Sequence, residues 1–229
     1  MTSGSLIKNI VLVHGTWIDG SSWRKVIPIL EKSGYNVISV QLALHSLNDD
    51  INTVKRAINF INGSTILVGH SYGGLVITNA AYGNPEVKGL VYLAAFAPDE
   101  GQSMVDFVDS SKFPKGFLKF DNEGFSYIDQ EMFHQIVCQD IDLTEAKVLA
   151  ATQKPTDKSI PLSKSGPPAW KHLPTWYQIS ENDLIIPPEI ENMFAKQINA
   201  NIVSLPSSHL SPLSHPDQIA QFIIKAAIN

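Results

Sequence analysis

The chain turns on residues 65–77, TILVGHSYGGLVI in one-letter code. Ile66, Leu67 and Val68 are apolar and mostly β-branched, which suits a strand buried on both faces. Gly69, Ser71 and Gly73 then spell G-x-S-x-G just ahead of an apolar helix. In so sharp a strand-to-helix turn, a side chain at either glycine would collide with its neighbours. The turn holds Ser71 in a strained backbone conformation and lifts its hydroxyl above the sheet edge. The helix that starts there points its N-terminal amides and dipole at any negative charge forming beside the serine. A glycine-rich turn with no chemistry carries the same local pattern, so the rest of the chain must decide.

Along the chain, buried strands are expected at residues 10–13, 36–40, 66–68, 87–95, 175–179 and 201–205. Helical patterns lie between them. Residues 23–32 read as a helix that Pro28 would kink. Residues 51–61 carry the apolar stripe Ile51, Val54, Ile58 and Ile61, with Asn48 or Asp49 as the cap. Further helices are expected from Ser71 to about Tyr82, over 188–198 and over 217–227. From residue 99 to about 171 strong strands vanish. Phe107, Phe113, Phe117, Phe120, Phe125 and Phe133 appear among polar, Pro and Gly residues, with a weak helical pattern over 143–152. Such a segment reads as an insertion, either with a small core of its own or as a lid whose aromatics line a pocket. Strands alternating with helices call for a mostly parallel sheet with helices on both faces. Reactive sites of such folds lie at the carboxyl ends of the strands. His14, Gly15 and Thr16, then Ser71, Asp183 and His209, each fall just past one of those ends.

Composition removes several alternatives. A chain of 229 residues is one ordinary domain with room for an inserted subdomain and a sizeable core. A net charge of -5 without a basic cluster argues against nucleic acid or an anionic membrane as a partner. The single cysteine, Cys138, excludes an intrachain disulfide and a cysteine zinc site, and reads as a buried spectator. Residues 1–5 are small and polar and lack a secretory-signal pattern, so a cytoplasmic protein is expected.

A serine hydroxyl needs a base within hydrogen-bond reach, and the base needs a third group to hold its tautomer. His209, just after the sixth strand, is preferred as the base over His215, which reads as a helix-entry residue. Asp183, just after the fifth strand, is preferred as the acid over Glu181. The order Ser71, Asp183, His209 belongs to one fold class and differs from the two common protease orders. The amides of Thr16 and Tyr72 are placed to receive an oxyanion, with Gly15 letting the backbone come close. His14 and His70 flank these positions as packing and hydrogen-bonding residues; no metal or other cofactor is implied.

These residues together resemble the α/β-hydrolase superfamily, in particular small bacterial esterase-like members and the plant methylesterase and hydroxynitrile lyase branch. The matching stretches are residues 11–17 (VLVHGTW), 22–24 (SWR), 69–74 (GHSYGG) and 93–98 (LAAFAP), with Asp183 and Ser208-His209. The resemblance implies Ser71, Asp183 and His209 as a triad and Thr16 and Tyr72 as the oxyanion hole. It implies an α/β-hydrolase fold whose sheet lacks the family's first two strands, leaving six in the order 2-1-3-4-5-6. Core residues would be 1–98 and 172–229, with 99–171 as an inserted helical cap. His14, Trp17, Phe96 and Leu210 become candidates for the substrate pocket. The expected activity is cofactor-independent hydrolysis of a small or medium apolar carboxylic ester, and a homodimer is compatible with it. Other uses of the same triad are acyl transfer, cyanohydrin cleavage or ligand reception. Leu210 stands where cyanogenic lyases of this branch carry a lysine, which removes the charged group a lyase needs.

Overall fold

The computed structural model describes residues 7–228; residues 1–5, read above for a secretory signal, lie outside them. Strands β1 (Asn9–Val13), β2 (Asn36–Ser39), β3 (Thr65–His70) and β4 (Val87–Leu93) alternate with helices α1 (Ile27–Lys32), α2 (Leu47–Ile61) and α3 (Tyr72–Ala80). An insert follows with short strands β5 (Leu118–Phe120), β6 (Phe125–Ile128) and β7 (Thr156–Asp157) and helices α4 (Gln130–Val137) and α5 (Leu143–Ala151). The alternation then resumes with β8 (Thr175–Ser180), α6 (Pro188–Gln197), β9 (Asn201–Leu205), α7 (Ser211–Ser214) and α8 (Pro216–Ile228).

Six strands form one sheet in the order β2-β1-β3-β4-β8-β9. Every pairing in it is parallel. This is the spatial order expected, with the insert entering between the fourth and fifth sheet strands. The period of two along each strand sorts its side chains onto two faces. Ile10 and Leu12 of β1 join Ile66, Val68, Leu30, Ile219 and Ile223 on one side. Val11 and Val13 join Leu67, Val54, Ile58 and Leu75 on the other. Slipping β1 by one residue would exchange these two sets. The second cluster continues without a break into the insert, through Phe117, Phe133 and Leu149. The insert is therefore packed on the core and is not a tethered linker.

Four local expectations change. The first helix begins at Ile27, after a 3₁₀ turn over Gly20–Trp23. Pro28 then falls in the first helical turn, where its missing N–H and fixed φ are tolerated and no kink is needed. Ser46, not Asn48 or Asp49, caps α2: its backbone is extended and its Oγ accepts the Asp49 N–H at 3.1 Å. Helix α3 and strand β4 stop about two residues short of the expected ends. The insert is mixed, not purely helical. Its strands β5, β6 and β7 form a separate antiparallel sheet. Strands of three, four and two residues are too short to leave a periodic signal. Among the described residues no helix is long and apolar enough to cross a membrane.

Candidate active site

Ser71 sits between β3 and α3 with φ 56° and ψ -125°, a left-handed conformation that costs a non-glycine residue about 1–3 kcal/mol. The strain persists because the backbone around it is bonded on every side. Ser71 N–H donates to Leu93 O (3.2 Å), and Ser71 O accepts from Gly74 N–H (3.0 Å) and Phe96 N–H (3.1 Å). The flanking glycines allow this approach: a Cβ on Gly73 would lie 2.4 Å from Val13 O, and one on Gly69 2.5 Å from Gly73 O. A Cβ on Gly15 would lie 2.7 Å from Ser71 Cβ, so the loop after β1 rests directly against the serine. Tyr72, the first residue of α3, is pinned from below, its phenol donating to Asp50 Oδ2 of α2 at 2.9 Å. Burial pushes that phenol up, and burial also raises the Asp50 carboxyl.

Asp183 follows β8 and is almost wholly enclosed. Its Oδ1 accepts the N–H groups of Ile185 (2.6 Å) and Ile186 (3.0 Å). Its Oδ2 accepts from His209 Nδ1 at 2.5 Å. The imidazole is thereby fixed with its proton on Nδ1 and Nε2 left to act as acceptor. The loops carrying the two residues are zipped together, with Asn182 N–H donating to Ser207 O (3.0 Å) and Glu181 N–H to Leu205 O (2.9 Å). The rivals lie apart from this pair. Glu181 is exposed, and His215 closes α7 while bonding its neighbour Ser214. The Ser71 hydroxyl closes no hydrogen bond among the described residues. It opens into a cavity of about 240 Å³ lined by Trp17, Phe96, Met104, Phe113 and Leu118. A smaller void of about 10 Å³, room for one water, touches Thr16, His70, His209 and Leu210. Of the four pocket candidates, Trp17 and Phe96 line the cavity and Leu210 the small void. His14 lines neither.

His14 and His70 are structural neighbours of the site. His14 donates from Nδ1 to Gly15 O (2.8 Å) and accepts the Leu42 N–H at Nε2 (3.0 Å). Both nitrogens are thus engaged in the neutral form, and burial holds its pKa down at about 4. His70 donates from Nε2 to His209 O (2.7 Å), and its ring lies 4.7 Å from that of His209. Burial, and then the His209 ring, push its pKa well down. Cys138 is enclosed, and burial raises its thiol to about 12, which suits an inert packing residue.

Sequence reading missed several residues that hold the site. Asp140 of the insert accepts the Ser208 N–H (2.8 Å) and also the Ser208 hydroxyl. Its neighbour Gln139 donates to Asn182 O (2.6 Å). Ser126 Oγ accepts from Trp17 Nε1 (3.1 Å), and Thr156 Oγ1 accepts from Trp17 N–H (3.2 Å). No local pattern signals these long-range contacts. Asp50 and Glu191 are different: each is a charged residue on the buried face of an amphipathic helix. That anomaly is readable in the sequence.

Residues 10–222 match the model of the Alpha/beta hydrolase family. The chain is 27% identical to Pyrethroid hydrolase of Sphingobium wenxiniae, covering 95% of this chain and 86% of that one. It is 23% identical to Polyneuridine aldehyde esterase of Rauvolfia serpentina, over 95% of this chain and 94% of that protein. Its fold is similar to the crystal structure of a pyrethroid hydrolase from Sphingobium faniae JZ-2, with a TM-score of 0.81, 23% identity and 96% and 97% of the two chains covered.

Proposed function

The chain belongs to the alpha/beta hydrolase family, and from that premise we propose that it is a serine hydrolase of small or medium apolar carboxylic esters. The observation that carries the reading is the buried His209–Asp183 pair beside an apolar cavity floored by the strained Ser71. Ser71 Oγ attacks the ester carbonyl, and His209 Nε2 takes its proton. Asp183 holds the Nδ1–H and balances the imidazolium that forms. The carbonyl oxygen, now negative, is received by the amides of Thr16 and Tyr72; losing one such donor costs about 3 kcal/mol in the barrier. His209 returns the proton to the leaving alcohol, and water cleaves the acyl-enzyme by the same route. The cavity lining, rich in Phe, Met and Leu, suits an apolar acyl or aryl group and offers no row of donors for a polymer or peptide. Relatives named as an esterase and a pyrethroid hydrolase support the reaction class.

Turnover of a graded series of aryl esters, with wild type and Ser71→Ala compared, tests this reading. Steady turnover is expected, falling at least ~10⁴-fold in Ser71→Ala while the fold is retained. A phosphonylating reagent should label Ser71 and stop turnover in proportion. Labelling with a single slow turnover would replace the hydrolase with a ligand receptor. Cyanide release from a cyanohydrin would replace it with a lyase.

A further inference from the structure

Beside Asp183 lies a second carboxyl that the proposed reaction does not use. Glu191 sits on the face of α6 that also carries Phe194 and Ala195, and it is fully enclosed. Its Oε2 accepts the Ser180 N–H at 2.9 Å. Its Oε1 is buried and meets no donor. The Asp183 carboxyl stands within hydrogen-bond reach of it. Two ionised carboxylates do not share a dry site; one of the two holds a proton. The supply of donors decides which. Asp183 accepts three N–H groups, from Ile185, Ile186 and His209. Glu191 accepts one. Each donor favours the charged form, so the charge belongs on Asp183 and the proton on Glu191.

We infer that Glu191 is a resident acid of the site: it stays neutral at working pH and donates its O–H to Asp183. This also accounts for the orphaned oxygen, which lacks a donor because it belongs to a group that gives a hydrogen bond. Burial, and then the Asp183 charge, push the Glu191 carboxyl well up, in the same direction. The other ionisable group facing it is Tyr177 of β8, whose hydroxyl donates to Ala95 O at 2.6 Å and which burial keeps neutral. Glu189 and Lys196 of the same helix are exposed. Glu191 is a positioning residue. It loses no proton during turnover, but it gives Asp183 a fourth donor. That donor fixes the carboxylate in the orientation that holds the His209 Nδ1–H.

The inference rests on the hydrolase reading for its consequence, but the proton can be observed without turnover. Infrared difference spectra of wild type against Glu191→Gln at pH 7 should show a protonated-carboxyl C=O band in the wild type that the variant lacks. With ester substrate, Glu191→Gln should keep kcat/KM within about threefold, because the amide is also neutral, donates to Asp183 and accepts from Ser180. The acid limb of its pH profile should not move. Glu191→Leu, with no donor, should lose about tenfold in kcat with KM little changed. An absent carboxyl band, or an acid limb displaced to lower pH in Glu191→Gln, overturns the inference, since either means that the variant removed a charge. A wild type that shows the band but turns over no ester leaves the proton assignment standing and removes the hydrolase reading instead.

Discussion

Ser71 is placed by backbone alone, whereas the loops carrying Thr16 and His209 lean on side chains of the insert. Around Ser71 the contacts are peptide groups of β3, β4, α3 and the segments that follow β1 and β4, with glycines where chains touch. On the other side, Trp17 hangs from Ser126 and Thr156, and Ser208 from Asp140. The difference teaches where tolerance lies. Backbone placement is all or none, because moving it breaks the sheet. Side-chain placement is graded, because each hydrogen bond contributes about 1 kcal/mol and can be lost singly. The proposed nucleophile is thus tied to the stability of the core. The geometry of the Thr16 loop and of His209, the proposed oxyanion loop and base, is tied to the insert.

The largest effect expected from this contrast comes from Gly73→Ala. In an ordinary helix the change gains up to about 1 kcal/mol. Here the new methyl lands 2.4 Å from Val13 O, a backbone atom of the central sheet that cannot yield. The sign should reverse, to a loss of more than about 3 kcal/mol in urea unfolding or no soluble protein. A stable Gly73→Ala protein with native activity would break the claim that the core side is rigid.

The core side should also be sensitive to acid, through His14. Its folded pKa lies near 4, below the ordinary value of 6.5, so the unfolded chain takes up a proton first as pH falls. The stability tied to neutral His14 is therefore complete above about pH 6.5 and is lost as pH drops toward 4, by roughly 3 kcal/mol in all. Unfolding curves at pH 7 and pH 4.5 check this against His14→Asn, which lacks the titration. The variant should be less stable at pH 7, because the Leu42 N–H loses its His14 Nε2 acceptor. Its stability should fall less between the two pH values. Equal slopes for both proteins would refute the buried neutral assignment.

How much could be read in advance follows the same division. The strands around Ser71 are continuous apolar runs, so their existence was legible from short windows, while their order in the sheet followed from the resemblance and the end of β4 lay two residues earlier than expected. Asp183 and His209 lie just past strand ends, and the structure brings them into contact. The insert gave no such windows. Strands β5 and β6 pair locally but are only three and four residues long, and β7 joins them across about 30 residues, as in Ser126 facing Thr156. The Asp140–Ser208 link spans 68 positions. Nothing local distinguishes Asp140 from any other aspartate in a polar loop. Glu191 and Asp50 were legible, as charges lying within the apolar faces of their helices.

On the insert side, Asp140→Ala should act on rate more than on fold. Ser208 is buried, and the change strands its N–H and its hydroxyl together. Released, the loop lets the His209 ring drift, and misplacement by about 1 Å can cost up to 10²-fold. A fall of about tenfold in kcat is expected, with KM little changed and a stability loss below about 2 kcal/mol. Asp140→Asn, which keeps one acceptor, should recover part of the rate. If unfolding and kcat fall together and asparagine restores neither, the loop is held by something else and the division between the two sides fails.

The smallest effect should come from Ser126→Ala, and it sharpens the contrast most. Ser126 touches neither Ser71 nor His209; its hydroxyl accepts from the Trp17 indole and donates to Thr156 O at 3.0 Å. Trp17 has φ 60°, which its neighbours must hold in place. It also lines the large cavity and follows Thr16 directly. Removing the hydroxyl leaves the Trp17 N–H bond to Thr156 and the Lys154 N–H bond to Trp17 O intact, so the loop should loosen without letting go. The lost bond is worth about 1 kcal/mol, or about fivefold. The loss should fall on KM for bulky acyl groups that press on the indole, and far less on short ones. The melting temperature should fall by no more than about 4 °C. A uniform loss across the ester series would instead place Ser126 with the oxyanion donors, and make the insert part of the chemistry as well as of the pocket.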